Sequence, residues 1–192
     1  MFSSRAERLT GNAPDVDAIV ILNGQDPFLD STFWYLTEQL SGTFEGGIAV
    51  VRDGRLDVIV SSLEAECAKE GKGEIHEYRD REDRNNILKG LLDGCGNVGF
   101  NVHSAPYSSV EYVRKLTEAK VVDATRSIND TVSVKDEKEI EAIRRACKIS
   151  SKVAGEIPGM LKADITEKDV AAMMDRRMRE LGGEGNAFET IA

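Results

Sequence analysis

The sequence is short of the residues from which metal knuckles, disulfide frameworks and phosphate clamps are built. Its three cysteines, Cys67, Cys95 and Cys147, are scattered over 192 residues. No Cys-x-x-Cys pair occurs, so neither a zinc knuckle nor a disulfide framework is expected, and the thiols read as reduced ones in a cytoplasmic protein. The two histidines, His76 and His103, fall in separate segments without a second ligand at short spacing, which argues against a metal site built on them. No run approaches the ~20 apolar residues that span a bilayer. The first residues, Met1-Phe2-Ser3-Ser4-Arg5, lack the apolar core of a secretory signal. Positive charge is scarce too: 25 Lys and Arg stand against 34 Asp and Glu, a formal net charge of -9. With no field to neutralise phosphates, nucleic acid and anionic membrane are excluded as partners.

What is present is enough for a packed core, at 41% hydrophobic residues, with 31% charged residues to solvate it. Strand and helix patterns alternate through the first 125 residues. The runs 17–22, 47–52, 56–60, 74–78, 97–100 and 120–123 read as strands, short and apolar and bounded by turn residues. Asp53-Gly54 joins the second and third of these as a hairpin. Asp30 can cap a short helix carrying Phe33, Trp34, Tyr35 and Leu36. Further helices are expected over 62–69 and 80–92, and from Pro106 through Leu116. The expectation is an α/β layered domain with a mixed sheet.

After Asp123 the pattern changes to two long amphipathic helices within 134–181. Ile140, Ile143, Cys147, Ser150, Ala154 and Ile157, widened by Ile149 and Val153, make one stripe at helical spacing. Pro158-Gly159 is expected to end that helix. Thr166 and Asp169 form a capping box for the next, whose face carries Val170, Met173, Met174, Met178 and Leu181. Gly182-Gly183 stops it. Phe188-Glu189-Thr190-Ile191-Ala192 then reads as the opening of a buried strand. The chain is therefore expected to hold one complete domain followed by the start of a second, divided within residues 125–135.

Motifs that carry chemistry are hard to find. Gly94-Cys95-Gly96-Asn97-Val98-Gly99 fits the dinucleotide fingerprint literally. That fingerprint needs a strand before it and a helix after it, and here the order is reversed, so a helix C-cap and turn is expected. Asn129-Asp130-Thr131 is a sequon without a secretory signal. Glu137, Glu139 and Glu141 alternate with Lys135, Lys138 and Arg145 as a solvated helix face. The residues alone offer no catalytic, cofactor-binding or metal-ligating group to name.

A resemblance adds what these patterns do not. The run Val134-Lys135-Asp136-Glu137-Lys138-Glu139-Ile140, then Ile143-Arg144-Arg145-Ala146, resembles the entry to the catalytic domain of the Xaa-Pro peptidases. These are the aminopeptidase P, prolidase and creatinase relatives with the pita-bread fold. The similarity continues through Ile165-Thr166-Glu167-Lys168-Asp169-Val170 to Ala187-Phe188-Glu189-Thr190-Ile191. Thr32-Phe33-Trp34-Tyr35-Leu36-Thr37 is similar to the Asn-Phe-x-Tyr-Leu-Thr-Gly segment of that family's N-terminal domain. Thr32 and Glu38 depart from it, standing where relatives often carry Asn and Gly.

The resemblance implies a mixed-sheet, ribonuclease H-like N-terminal domain over 1–128, then opening helices and a first strand of a metallopeptidase domain over 129–192. It implies a longer parent that hydrolyses Xaa-Pro bonds with two divalent ions, manganese, cobalt or zinc. The family's two Asp, one His and two Glu ligands fall beyond Phe188, so this chain alone is expected to bind no metal and be inactive. Homodimers, with proline-containing peptides as the parent's substrates, are also implied. The loop 38–46 is the candidate for reaching over a partner's catalytic cleft, against a plain connecting loop. Phe33, Trp34 and Tyr35 are expected in packing rather than in a proline pocket. The alternative is a non-catalytic protein-interaction module of the same architecture, or a dimerisation domain alone.

Overall fold

The computed structural model of the chain describes residues 4–39, 41–188 and 190–191. The chain divides into two compact units, Met1–Val134 and Lys135–Ala192. In the first, a helix α1 (Arg5–Asn12) leads into β1 (Ala18–Leu22), α2 (Ser31–Thr37), β2 (Ile48–Arg52), β3 (Arg55–Ser61) and α3 (Ala65–Ala68). β4 (Glu74–Tyr78), α4 (Arg81–Leu91), β5 (Asn97–Phe100), α5 (Tyr107–Arg114), β6 (Lys120–Asp123) and α6 (Thr125–Ser133) complete it. The strands form one six-stranded sheet in the order β4-β3-β2-β1-β5-β6. β2 runs antiparallel to both neighbours, while the β1/β5, β5/β6 and β3/β4 pairs are parallel. The mixed sheet is the one expected from the sequence.

The central strand shows why its sequence is an unbroken apolar run. Ile19 and Ile21 face one core with α1, α2 and α6, whereas Ala18 and Val20 face another formed by α4 and α5. A strand buried on both faces has no place for alternating polar residues. The β2–β3 hairpin turns on Asp53 and Gly54, both with positive φ (51° and 75°). Those signs are the ones a tight two-residue hairpin requires.

Two helices are additions to the sequence reading. α1 offers only Ala6 and Leu9 to the core, and α6 buries Thr125, Ile128 and Thr131. A polar contact joins them, Asn12 Nδ2 donating to Thr131 Oγ1 at 2.8 Å, and α2 adds another to α6, Tyr35 Oη donating to the Thr131 carbonyl at 3.3 Å. A boundary at residue 128 falls inside α6.

The second unit comprises α7 (Glu137–Met160) and α8 (Glu167–Glu180). Capping boxes start both, Asp136 with Glu139 and Thr166 with Asp169. Pro158 does not end α7, which continues to Met160. A proline there removes a single bond near the end of the helix, where little ladder remains to be broken. α8 stops as expected: Gly182 takes φ 90°, and its N–H and that of Gly183 return to the carbonyls of Arg179 and Met178. Along the α7 stripe Val153 is buried, but Ile143 and Cys147 are exposed.

Of the strand expected over 188–192, the described residues Phe188, Thr190 and Ile191 are not in a strand. Among the described residues, 187–188 form a bend, Thr190 and Ile191 carry no regular structure, and Glu189 and Ala192 lie outside the described set. A strand requires a paired neighbour for its backbone groups. Here side chains hold the segment instead: Asn186 Nδ2 and Thr190 Oγ1 both donate to Asp175 Oδ1, at 2.7 and 2.6 Å.

Candidate functional site

The parallel pairs β1/β5 and β3/β4 direct their carboxyl ends to the same end of the sheet, where β2 begins. In open α/β sheets this is the end where loops gather into sites. Three loops meet there: 24–30 after β1, 38–47 after α2, and 101–106 after β5. Asn23 and Asp30 are the buried polar residues that join them, with 1% and 4% of their surface exposed.

Asn23 Nδ2 donates to the carbonyls of Phe44 and Thr43 at 2.8 and 3.1 Å, and its Oδ1 accepts from the Asp30 N–H at 3.1 Å. Asp30 caps α2, as the sequence suggested, with Oδ1 accepting from the Thr32 N–H at 2.9 Å. Its Oδ2 accepts from Ser104 Oγ at 2.7 Å. Exposed apolar side chains rim the same end: Phe28 and Leu29 on the first loop, Leu63 after β3, Val102 and Tyr107 around the third.

The loop proposed to reach outward is anchored at both ends. Glu38 and Phe44 take left-handed backbone, φ 51° and 48°, a conformation that L residues pay strain to adopt. The Glu38 position is where relatives often carry Gly, which suits that angle. Phe44 is fully buried with its ring 5.6 Å from that of Phe33. Gln39 Nε2 donates to the Ala68 carbonyl at 2.7 Å. Between these anchors Ser41, Gly42 and Thr43 are exposed. Leu40 lies outside the described residues.

Phe33 is buried in the core with Trp34 set edge-on at 5.4 Å, and the Arg5 guanidinium lies 4.4 Å over the Tyr35 ring. All three aromatics are thus packing elements, as expected, rather than the walls of a pocket.

Candidate chemical groups elsewhere resolve into structural roles. His76 Nε2 lies 2.7 Å from Asp57 Oδ1 across the β3/β4 pair, and His103 sits in the loop after β5. Among the described residues no group of three His, Cys, Asp or Glu side chains converges as a metal site requires. The described residues therefore do not fit the two-metal centre that the resemblance implies for a parent. Gly94-Cys95-Gly96 lies between α4 and β5, the reverse of a dinucleotide site. Burial pushes the Cys95 thiol above its ordinary value. Glu139 is a capping residue, accepting the Asp136 N–H at 2.9 Å. Asn23 and Ser104 give no site signal in the sequence, because an isolated Asn after a strand and a loop Ser carry no periodic pattern. Asp30 was read as a helix cap alone.

Residues 9–131 match the creatinase/prolidase N-terminal domain, and residues 141–192 match metallopeptidase family M24. An Xaa-Pro dipeptidase of Pyrococcus horikoshii is 29% identical over 150 residues, 76% of this chain and 41% of the relative. That of Pyrococcus furiosus is 30% identical over the same shares. Among solved structures, the X-Pro aminopeptidase of Thermotoga maritima superposes with a TM-score of 0.83 at 26% identity, covering 98% of this chain and 52% of that one. The chain thus spans about 41% of the length of the curated relatives it matches. The N-terminal-domain match alone takes in most of the sequence, and the mixed six-stranded sheet is the architecture it describes. The chain belongs to the creatinase and prolidase family, carrying its N-terminal domain followed by a stretch of metallopeptidase family M24.

Proposed function

We propose that this chain is the dimerising and substrate-gating portion of an Xaa-Pro peptidase. The observation that carries the reading is the order of the two matches, an N-terminal domain over 9–131 and then metallopeptidase sequence over 141–192. In this reading the catalytic step, two-metal hydrolysis of an Xaa-Pro bond, belongs to a longer polypeptide. Manganese, cobalt or zinc would supply the activated water there. The first unit supplies self-association and a wall over the substrate, and the protein works in the cytoplasm. The junction between α6 and α7 is the domain division.

The gating role falls on the loop 38–46 and the rim beside it. Its exposed residues 41–43 lie between the hydrogen-bonded Gln39 and the buried Phe44, which suits a wall better than a free linker. Equilibrium sedimentation of the 192-residue chain tests the self-association. Dimers in the micromolar range support the reading, and a monomer at all concentrations removes the dimerising role. A stable complex with an unrelated protein, in the absence of self-association, would favour the interaction-module alternative.

A further inference from the structure

The polar cluster at the loop end of the sheet is more connected than a helix cap requires. A cap needs one acceptor on Asp30, and Oδ1 alone meets that need. Oδ2 is turned to Ser104 in a loop 74 positions away in sequence, and the Asp30 N–H is given to Asn23. Asn23 in turn commits both hydrogens of Nδ2 to the 38–47 loop, while its own N–H and carbonyl pair with Gly47 and Gly46. Each link is buried or half-buried, so each is costly to leave unmade.

We infer that Asn23, Asp30 and Ser104 act as one clasp coupling the loops 24–30, 38–47 and 101–106, and that they are the positioning residues of the gate. The functional half of this inference rests on the reading proposed above; the mechanical half does not.

Phe44 shows what the clasp holds. Its left-handed backbone, φ 48°, is an unfavourable state for an aromatic residue. It persists because the Phe44 carbonyl accepts from Asn23 Nδ2 at 2.8 Å and from the Gly47 N–H at 2.9 Å, while the ring is wedged against Phe33. Loss of the Asn23 bond leaves the strain without its counterweight, and the loop can relax outward. Asn23 is itself held by Asp30, and Asp30 by Ser104. A change in the 101–106 loop is thereby transmitted to 38–47 through two side chains. The coupling passes through discrete hydrogen bonds, so it is graded by single substitutions.

Hydrogen exchange measured by mass spectrometry on the full chain tests the coupling. Ser104→Ala removes one hydroxyl from a half-buried position and is expected to fold. Because a hydrogen bond to a charged group is lost, exchange should rise roughly tenfold in 24–30 and in 38–47, although Ser104 bonds only the first of these. Ser104→Thr, which keeps the hydroxyl, should restore protection, and amides of β1 and β2 should be unchanged in both. Asp30→Asn, which keeps the cap and can donate to Ser104, should fall between. A rise confined to 101–106, or equal effects of Ser104→Ala and Ser104→Thr, would overturn the clasp. Sedimentation of the same variants separates the two halves. Weakened self-association of Ser104→Ala, rescued by Ser104→Thr, supports the positioning role. Altered exchange with unaltered association keeps the coupling and overturns the assignment of these loops as the gate.

Discussion

Asp17 shows how much one carboxylate can organise. It lies just before β1, and Oδ2 accepts from the N–H groups of Gly96 and Asn97, each at 2.8 Å. The Asn97 backbone bond first, and the Gly96 bond second, hold its pKa below the ordinary 3.8. A group depressed on folding stabilises the native state above its unfolded pKa and loses that effect as pH falls through the folded one. Asp17→Asn should therefore unfold at lower urea than the parent at pH 7, with the difference narrowing below about pH 4 as the carboxylate protonates. Gly99 makes the opposite demand. A Cβ there would meet Ala124 Cβ at 2.7 Å and Val16 Cγ1 at 2.9 Å. Overpacking of this kind costs about 1–3 kcal/mol, so Gly99→Ala should lower the urea midpoint accordingly. Neither role is visible in the sequence. Asp17 reads as the polar edge of a strand, and Gly99 as the end of a false fingerprint. Only the three-dimensional neighbours define them.

At the scale of elements, legibility followed the origin of each element's stability. The strands and the α7–α8 pair carry apolar periodicity or capping chemistry within their own residues, and sequence reading found them. α1 and α6 are held by contacts distant in sequence, Asn12 of α1 and Tyr35 of α2 both reaching Thr131 of α6, and a window of local sequence holds no trace of that. Phe188, Thr190 and Ile191 show the converse: an alternating apolar pattern permits a strand, but pairing depends on a neighbouring strand. The α7–α8 pair has its own ion network. Arg177 grips Glu156 with two bonds, Nε to Oε2 at 2.7 Å and Nη2 to Oε1 at 3.1 Å, and meets Glu180 at 3.2 Å. The Arg177 side-chain bond is the chief cause of the lowered Glu156 pKa. Lys presents a point charge in place of the planar fork. Arg177→Lys should raise amide exchange in the last turns of α7 at pH 7. The effect should fade as the solution is acidified through the carboxylate range, because the lowered pKa places the stabilising interaction above it.

On the scale of the whole molecule, a mixed-sheet unit is followed in the chain by a helix pair that leaves apolar side chains exposed. Ile143 is 48% exposed and Met173 39%. Such a stripe invites association. Light scattering should report a mass above that of the monomer, and Ile143→Glu should reduce any concentration-dependent scattering on warming while leaving the first unit's unfolding unchanged. At this scale the sequence speaks through its charge: a formal net charge of -9 is a poor match for a phosphate backbone.

The most direct measurement is hydrolysis of Xaa-Pro dipeptides by the purified 192-residue chain supplied with manganese or cobalt. The account predicts no release of proline above the metal-only control. Turnover that scales with protein concentration and is abolished by a chelator would contradict it, by showing that these residues assemble a catalytic centre of their own.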